Sequence, residues 1–185
     1  DTFLDSLNYG EGWMWDEGPW WYAAPVSALS VNDNCIDFYI ETSKVGKPAR
    51  IDYFPETSYI TFENNSITVD NTLEFNKIQI DRDWVSNKNN FTVTGELLNT
   101  TKKDTLFRNI YDPSLFTGTI FKELLKKHGI QVKQLSAKHQ NLSDYREIAN
   151  HKSDSLIVSA KNLMNSSDNL TAELFVKSIG ALDSL

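Results

Sequence analysis

The chain has 185 residues, 40% of them hydrophobic and 23% charged, a globular balance sufficient for one or two domains with a sizeable core. A net charge of -7 argues against nucleic acid as a partner, since there is no basic stripe to neutralise phosphates. No apolar run approaches the roughly 18 residues of a membrane span, and no secretory leader is visible. The sequence starts at Asp1 without Met, so a processed or excised piece is expected.

Residues 9–34 are the most distinctive stretch. They hold four of the five tryptophans, and Gly10, Gly12, Gly18 and Pro19 forbid a helix through the first half. The aromatics must then pack from an irregular loop, either as a stacking platform for a ligand or as an anchor onto a domain. Residues 25–31 read as a buried strand. Cys35 is the sole cysteine, so no intramolecular disulfide can form, and it is expected as a small buried hydrophobe.

From residue 35 to 98 the pattern is β-like. Ile36, Phe38 and Ile40 alternate with polar residues, as do Ile60 with Phe62, Ile67 with Val69, Phe75 with Ile78 and Ile80, and Phe91 with Val93. Turn-rich separators fall at 45–48, 63–66 and 86–90. Short strands at about ten-residue spacing predict an antiparallel sheet that ends near residues 94–97. Asp112-Pro113 then opens a helix, Asp as N-cap and Pro at the first position. Phe116, Ile120 and Leu124 bury one face, with Phe121 and Leu125 beside them. The cluster Lys122, Lys126 and Lys127 is its solvated face. Gly129 stops the helix, and 130–132 begins a strand.

Residues 134–150 are polar and linker-like. Residues 155–164 carry a helical apolar stripe, and Leu170, Leu174 and Ile179 mark a second helix ending at Gly180. Between the two lies Ser167-Asp168-Asn169. It reads either as helix punctuation, because such side chains cap orphan donors, or as the Ser-x-Asn element of the penicillin-binding and β-lactamase serine enzymes. His128, His139 and His151 show no metal-ligand spacing, and His151 reads as a surface or capping residue. The sequons at Asn64, Asn90, Asn99, Asn141, Asn165 and Asn169 arise from an Asn- and Ser-rich composition.

Gly10-Glu11-Gly12-Trp13-Met14-Trp15-Asp16-Glu17, followed by Tyr22-Ala23-Ala24-Pro25-Val26-Ser27-Ala28-Leu29, strongly resembles a segment of the class C low-molecular-mass penicillin-binding proteins. These are the D-alanyl-D-alanine carboxypeptidase/endopeptidases of bacteria. The Asp112-Pro113 helix with its Gly129-Ile130 exit, and His151-Lys152-Ser153 before the motif helix, are similar to the same family. The resemblance covers nearly the whole chain. It implies an exported protein acting on peptidoglycan stem peptides through an acyl-enzyme, inhibited by β-lactams, with no metal or organic cofactor. Ser167 matches the motif serine, which would relay a proton to the leaving group. Asn169 matches the asparagine that would hydrogen-bond the substrate or β-lactam amide, and Asp168 is the middle, structural residue.

The family's other two motifs are missing: no serine has Lys three residues later, and no Lys-Thr-Gly occurs. The expectation is therefore the middle portion of such an enzyme, inactive by itself. The expected fold class is α+β: an aromatic loop and strand segment (1–34), an inserted β-rich module with one helix at 113–128 (35–140), and part of a transpeptidase-like domain carrying Ser-Asp-Asn (141–185). The module would lead into a helix–strand unit and then a helix pair. The alternative is a non-catalytic peptidoglycan- or protein-binding module derived from that family.

Overall fold

The computed structural model describes residues 4, 7–9, 16–70, 76–136 and 146–183. Residues 10–15, Phe75, His139 and Asn141 lie outside the described residues. The chain is α+β, as expected. Strand β1 (Cys35–Glu41) is the hub. β2 (Arg50–Phe54) flanks it on one side. Next in the chain come β3 (Thr61–Asn64), β4 (Ile67–Val69), β5 (Gln79–Arg82), β6 (Asn90–Thr94) and β7 (Glu96–Leu98). Then β8 (Asp104–Asn109) returns to flank β1 on the other side, completing an antiparallel sheet of order β2-β1-β8.

The single antiparallel sheet expected from strand spacing is replaced by three small ones. A second sheet has order β3-β6-β5, with β3 parallel and β5 antiparallel to β6, and β4 pairs with β7 in parallel. Parallel partners need long crossovers, and residues between β3 and β6 or between β4 and β7 supply them. β8 also extends the sheet region past residues 94–97.

Ile36, Phe38 and Ile40 of β1, Ile80 of β5, and Phe91 and Val93 of β6 meet in one core with Ile110 and Phe116. Alternation along β1 and β6 is the direct cause: every second residue faces the facing sheet. β4 runs in the opposite phase to its apolar pattern. Thr68 is fully buried while Ile67 is 40% exposed, because the Thr68 hydroxyl accepts the Ser43 backbone N–H at 3.2 Å.

Helix α1 (Pro113–Lys127) starts where expected. Its N-cap Asp112 sits at φ 55° and accepts the Leu115 N–H at 3.0 Å. Asp112→Ala is expected to lower stability by about 1 kcal/mol in urea titration, while Asp112→Asn, which keeps the acceptor, stays within about 0.5 kcal/mol. Equal losses in both variants would place the effect elsewhere than the cap.

The helix buries Phe116, with Ile120 packed against the core. Phe121 and Leu124 remain exposed, correcting the wider buried face expected from the sequence. The exit is a Schellman motif: Ile130 N–H donates to Leu125 O and Gly129 N–H to Lys126 O, with Gly129 at φ 80°. Residues 130–132 are irregular, not the expected strand. Their chain turns back along α1 and Leu135 packs on Gly118, so they reach no strand edge.

Residues 25–31 are likewise buried in part without being a strand. Pro25 has no N–H for a ladder, and its carbonyl is taken by the Asn34 side chain at 2.9 Å. Three consecutive left-handed residues, Asn32, Asp33 and Asn34, turn the chain into β1. Asn and Asp tolerate that conformation better than other residues with a Cβ. Helices α2 (Leu156–Ser166) and α3 (Asn169–Asp183) form the expected pair. α3 runs through Gly180 instead of ending there, because Gly180 does not take the left-handed conformation of a helix-ending glycine.

Candidate functional site

Ser167 closes α2 at φ 54°, ψ 48°, and its backbone N–H reaches Leu163 O. Its hydroxyl group is on an exposed residue. Asp168 follows as the cap of α3: one carboxylate oxygen accepts the Leu170 N–H at 3.0 Å and the other accepts the Thr171 hydroxyl. Both oxygens serve the helix start. Negative charge is also favourable there, at the positive end of the helix dipole.

Asn169 is the first residue of α3, and its amide nitrogen donates to Tyr22 O at 3.0 Å. That bond spans 147 positions in sequence. It ties the Ser-Asp-Asn turn to the distinctive aromatic segment, and Leu170, 6% exposed, buries beside it. The three motif residues therefore share one tight inter-helix turn, with Asn169 reaching across to the loop.

The loop side is built by a 3-10 turn at Trp21–Ala23. Trp20 and Tyr22 stack with centroids 6.4 Å apart, and Trp21 meets Tyr22 edge-on at 6.0 Å. The Arg108 guanidinium lies over the Trp20 ring at 4.3 Å, a cation–π contact. Asn109 holds the backbone beneath: its amide nitrogen donates to Gly18 O, Trp20 O and Ala23 O at 2.9–3.1 Å. The segment is thus anchored by its backbone while Trp20 and Trp21 keep 45% and 44% of their surface exposed. Anchor and exposed aromatic surface coexist in the same few residues. Desolvation raises the Tyr22 phenol above its usual range, and a hydrogen bond with Glu17 adds to this.

Next to the turn is a pocket of ≈ 320 Å³ lined by Trp21, Asn32, Asp33, Cys35, Asp37 and Phe107. Burial raises the Asp33 carboxyl above the usual carboxylate range, and the charges of Asp168 and Asp37 push it further in the same direction. Asp37 is also raised by burial, although the Asn32 amide donates to it at 2.9 Å. Burial drives the Cys35 thiol far up, so it stays protonated and behaves as the expected buried hydrophobe. Among the described residues no group of His, Cys, Asp and Glu is arranged to hold a metal ion. His151 is exposed.

Sequence reasoning pointed to Ser167, Asp168 and Asn169 but missed Asn109, Arg108, Asp33 and Asp37. A polar Asn just before the Asp112-Pro113 helix start was the available signal for Asn109.

The family model of the D-Ala-D-Ala carboxypeptidase 3 (S13) family matches residues 1–184. The D-alanyl-D-alanine carboxypeptidase of Actinomadura sp. (strain R39) is 29% identical over 189 residues, covering 97% of this chain and 35% of that protein. A crystal structure of penicillin binding protein 4 (dacB) from Haemophilus influenzae superposes with TM-score 0.66 at 21% identity, over 92% of this chain and 37% of that one. A second, complexed with a β-lactam, gives 0.60 at 20% identity, over 80% and 34%. The chain spans about a third of the length of these relatives. With the family model matched along almost its entire length, the chain belongs to the D-Ala-D-Ala carboxypeptidase 3 (S13) family.

Proposed function

We propose that this chain is the portion of an exported bacterial serine-type D-Ala-D-Ala carboxypeptidase/endopeptidase that carries its Ser-x-Asn element. The intact enzyme acts on peptidoglycan stem peptides: its nucleophilic serine is acylated with loss of D-Ala, the acyl-enzyme is hydrolysed, and β-lactams acylate the same serine. Ser167 relays the proton to the leaving group, and Asn169 orients the substrate or β-lactam amide. Asp168 caps α3. Residues 1–34 seat the aromatic loop, 35–140 form an inserted module, and 141–185 belong to the transpeptidase-like domain. The acylated serine with its lysine, and the third-motif lysine, come from outside these 185 residues, so the chain alone is inactive.

The observation that supports this reading over helix punctuation is the conformation of Ser167. A helix end that needs a left-handed residue is served at least cost by Gly. A residue with a Cβ there costs about 1–2 kcal/mol. The chain nonetheless places Ser at φ 54° and follows it with an Asn bonded to Tyr22.

The test is intact mass spectrometry after incubation with penicillin, on this chain and on the full-length protein. An adduct on the longer protein alone is expected. In that protein Asn169→Ala should slow acylation by about 100-fold, the usual scale for losing one positioned polar group at a reacting centre, with its melting curve intact. Unchanged acylation would remove Asn169 from the site, and an adduct on this chain itself would reveal a nucleophile of another kind. The absence of Ser-x-x-Lys from the chain favours a second reading, a non-catalytic peptidoglycan- or protein-binding module. No adduct on either protein would support it.

A further inference from the structure

The chain has net charge -7, yet residues 113–136 carry four lysines against a single acid, Glu123. The segment after α1 turns back beside the helix, held where Leu135 packs on Gly118. Between helix and returning segment lies an open trough of ≈ 1090 Å³, into which Lys122, Lys126 and Lys133 face together with Gln131 and Gln134.

Its one acid is already engaged. Glu123 accepts the Ser58 N–H at 2.9 Å and the Ser58 hydroxyl at 2.5 Å. Burial opposes its charge, but these bonds and Lys127 outweigh burial and hold its carboxyl below the usual range. Lys127 in turn pairs with Glu56 at 3.6 Å. Among the described residues Lys122, Lys126 and Lys133 take part in none of the ion pairs.

We propose that this trough is an anion-binding groove that holds the carboxylate-bearing stem peptides of peptidoglycan, away from the Ser167–Asn169 turn. Three unpaired ammonium groups within one concavity focus positive potential on an otherwise acidic protein, so a polyanion is steered to this patch. The interleaved glutamine amides suit a ligand that offers peptide N–H and C=O groups between its carboxylates. A concave trough fits a strand, whereas a membrane surface calls for an apolar face laid flat on it. The choice of the cell-wall peptide rests on the function proposed above. The groove would hold the wall strand while the reacting stem reaches the active centre.

Co-sedimentation of the 185-residue chain with purified sacculi freed of phosphate polymers tests this. The chain is expected to pellet with the sacculi, less so as salt rises. The triple variant Lys122→Gln/Lys126→Gln/Lys133→Gln should lose about 10-fold in affinity, the scale of three exposed ion pairs. Lys126 and Lys133 are exposed and Lys122 is partly exposed, so its melting curve should match the parent's. Sacculi with amidated carboxyls should retain the chain as poorly as the triple variant is retained by native ones. The proposal is overturned if the triple variant pellets like the parent, if amidation has no effect, if nothing pellets, or if anionic lipid vesicles capture the chain as well as sacculi do. Retention requires no acylation and a penicillin adduct requires no groove, so either idea can fail while the other stands.

Discussion

Phe38→Ala should destabilise the chain by about 3–5 kcal/mol, the range for removing a fully buried ring. Phe38 is fully buried at the centre of β1. Its ring packs 5.1 Å from Phe91, 6.3 Å from Tyr53 and 6.5 Å from Phe62. It therefore touches the first sheet through Tyr53 on β2 and the second through Phe62 on β3 and Phe91 on β6. Truncation opens a cavity between two sheets that have separate hydrogen-bond ladders, so neither can collapse into it without losing register. Against a total stability of 5–15 kcal/mol, that is a large fraction. Phe62→Ala is the control: Phe62 is 37% exposed, and a loss of about 1 kcal/mol is expected for such a half-exposed site. Guanidinium titration with unchanged m-values would read both. Equal losses would mean that Phe38 does not join the sheets.

In the sequence Phe38 and Phe62 look alike, as apolar members of alternating runs. Alternation shows which residues share a face, and it placed β1, β5 and β6 correctly. It cannot show whether a second layer covers that face. β8 escaped for a related reason. In Leu106-Phe107-Arg108-Asn109 the apolar Phe107 is 43% exposed while Arg108 and Asn109 are buried. A strand in which Leu106 is the apolar residue packed on the core, beside a buried arginine and asparagine, has no hydrophobic period to detect. The parallel pairings of β3 with β6 and β4 with β7 depend on crossovers that spacing does not encode. The helix caps were easier. Asp112-Pro113 and Gly129 act within a few residues of themselves, so local chemistry sufficed for the limits of α1.

The candidate site divides in the same way. Ser167, Asp168 and Asn169 were legible because they are contiguous and fall between two apolar helical stripes. What the turn touches was not. The bond from Asn169 to Tyr22 joins positions 147 apart, and the acidic neighbour Asp33 reaches Asp168 only through the fold. The aromatic segment was conspicuous by composition, but its support by two side-chain amides, Asn34 and Asn109, left no periodic trace. Residues 25–31 have the apolar content of a buried strand but no backbone ladder. The side chains do the ladder's work there.

That substitution makes Asn109→Ala the second large expectation, a loss of about 3 kcal/mol or more. The Asn109 side chain is fully buried, and its amide nitrogen bonds three carbonyls of the aromatic segment. Its carbonyl oxygen accepts Arg82 Nη2 at 3.1 Å. Arg82 is 6% exposed, with burial lowering its pKa. Its remaining hydrogen bond goes to Lys88 O at 3.0 Å, and its Nε has no partner. Truncating Asn109 leaves a buried guanidinium and several carbonyls unsatisfied together, each at a cost of about 1–3 kcal/mol before water enters. Asn109→Asp separates the two halves of this role. A carboxylate is a better partner for Arg82 but turns an acceptor toward three carbonyl oxygens. If holding the segment is the main role, Asp fails about as badly as Ala. If pairing Arg82 is the main role, Asp is tolerated. The geometry favours the first outcome, since three of the four side-chain bonds run to the segment. Loosening it should also free Tyr22 O from Asn169, and so raise hydrogen exchange at the start of α3 beyond what global destabilisation explains. Near-parental stability of the Asp variant, or unchanged exchange in α3, would show that the aromatic segment and the Ser-Asp-Asn turn are not coupled through Asn109.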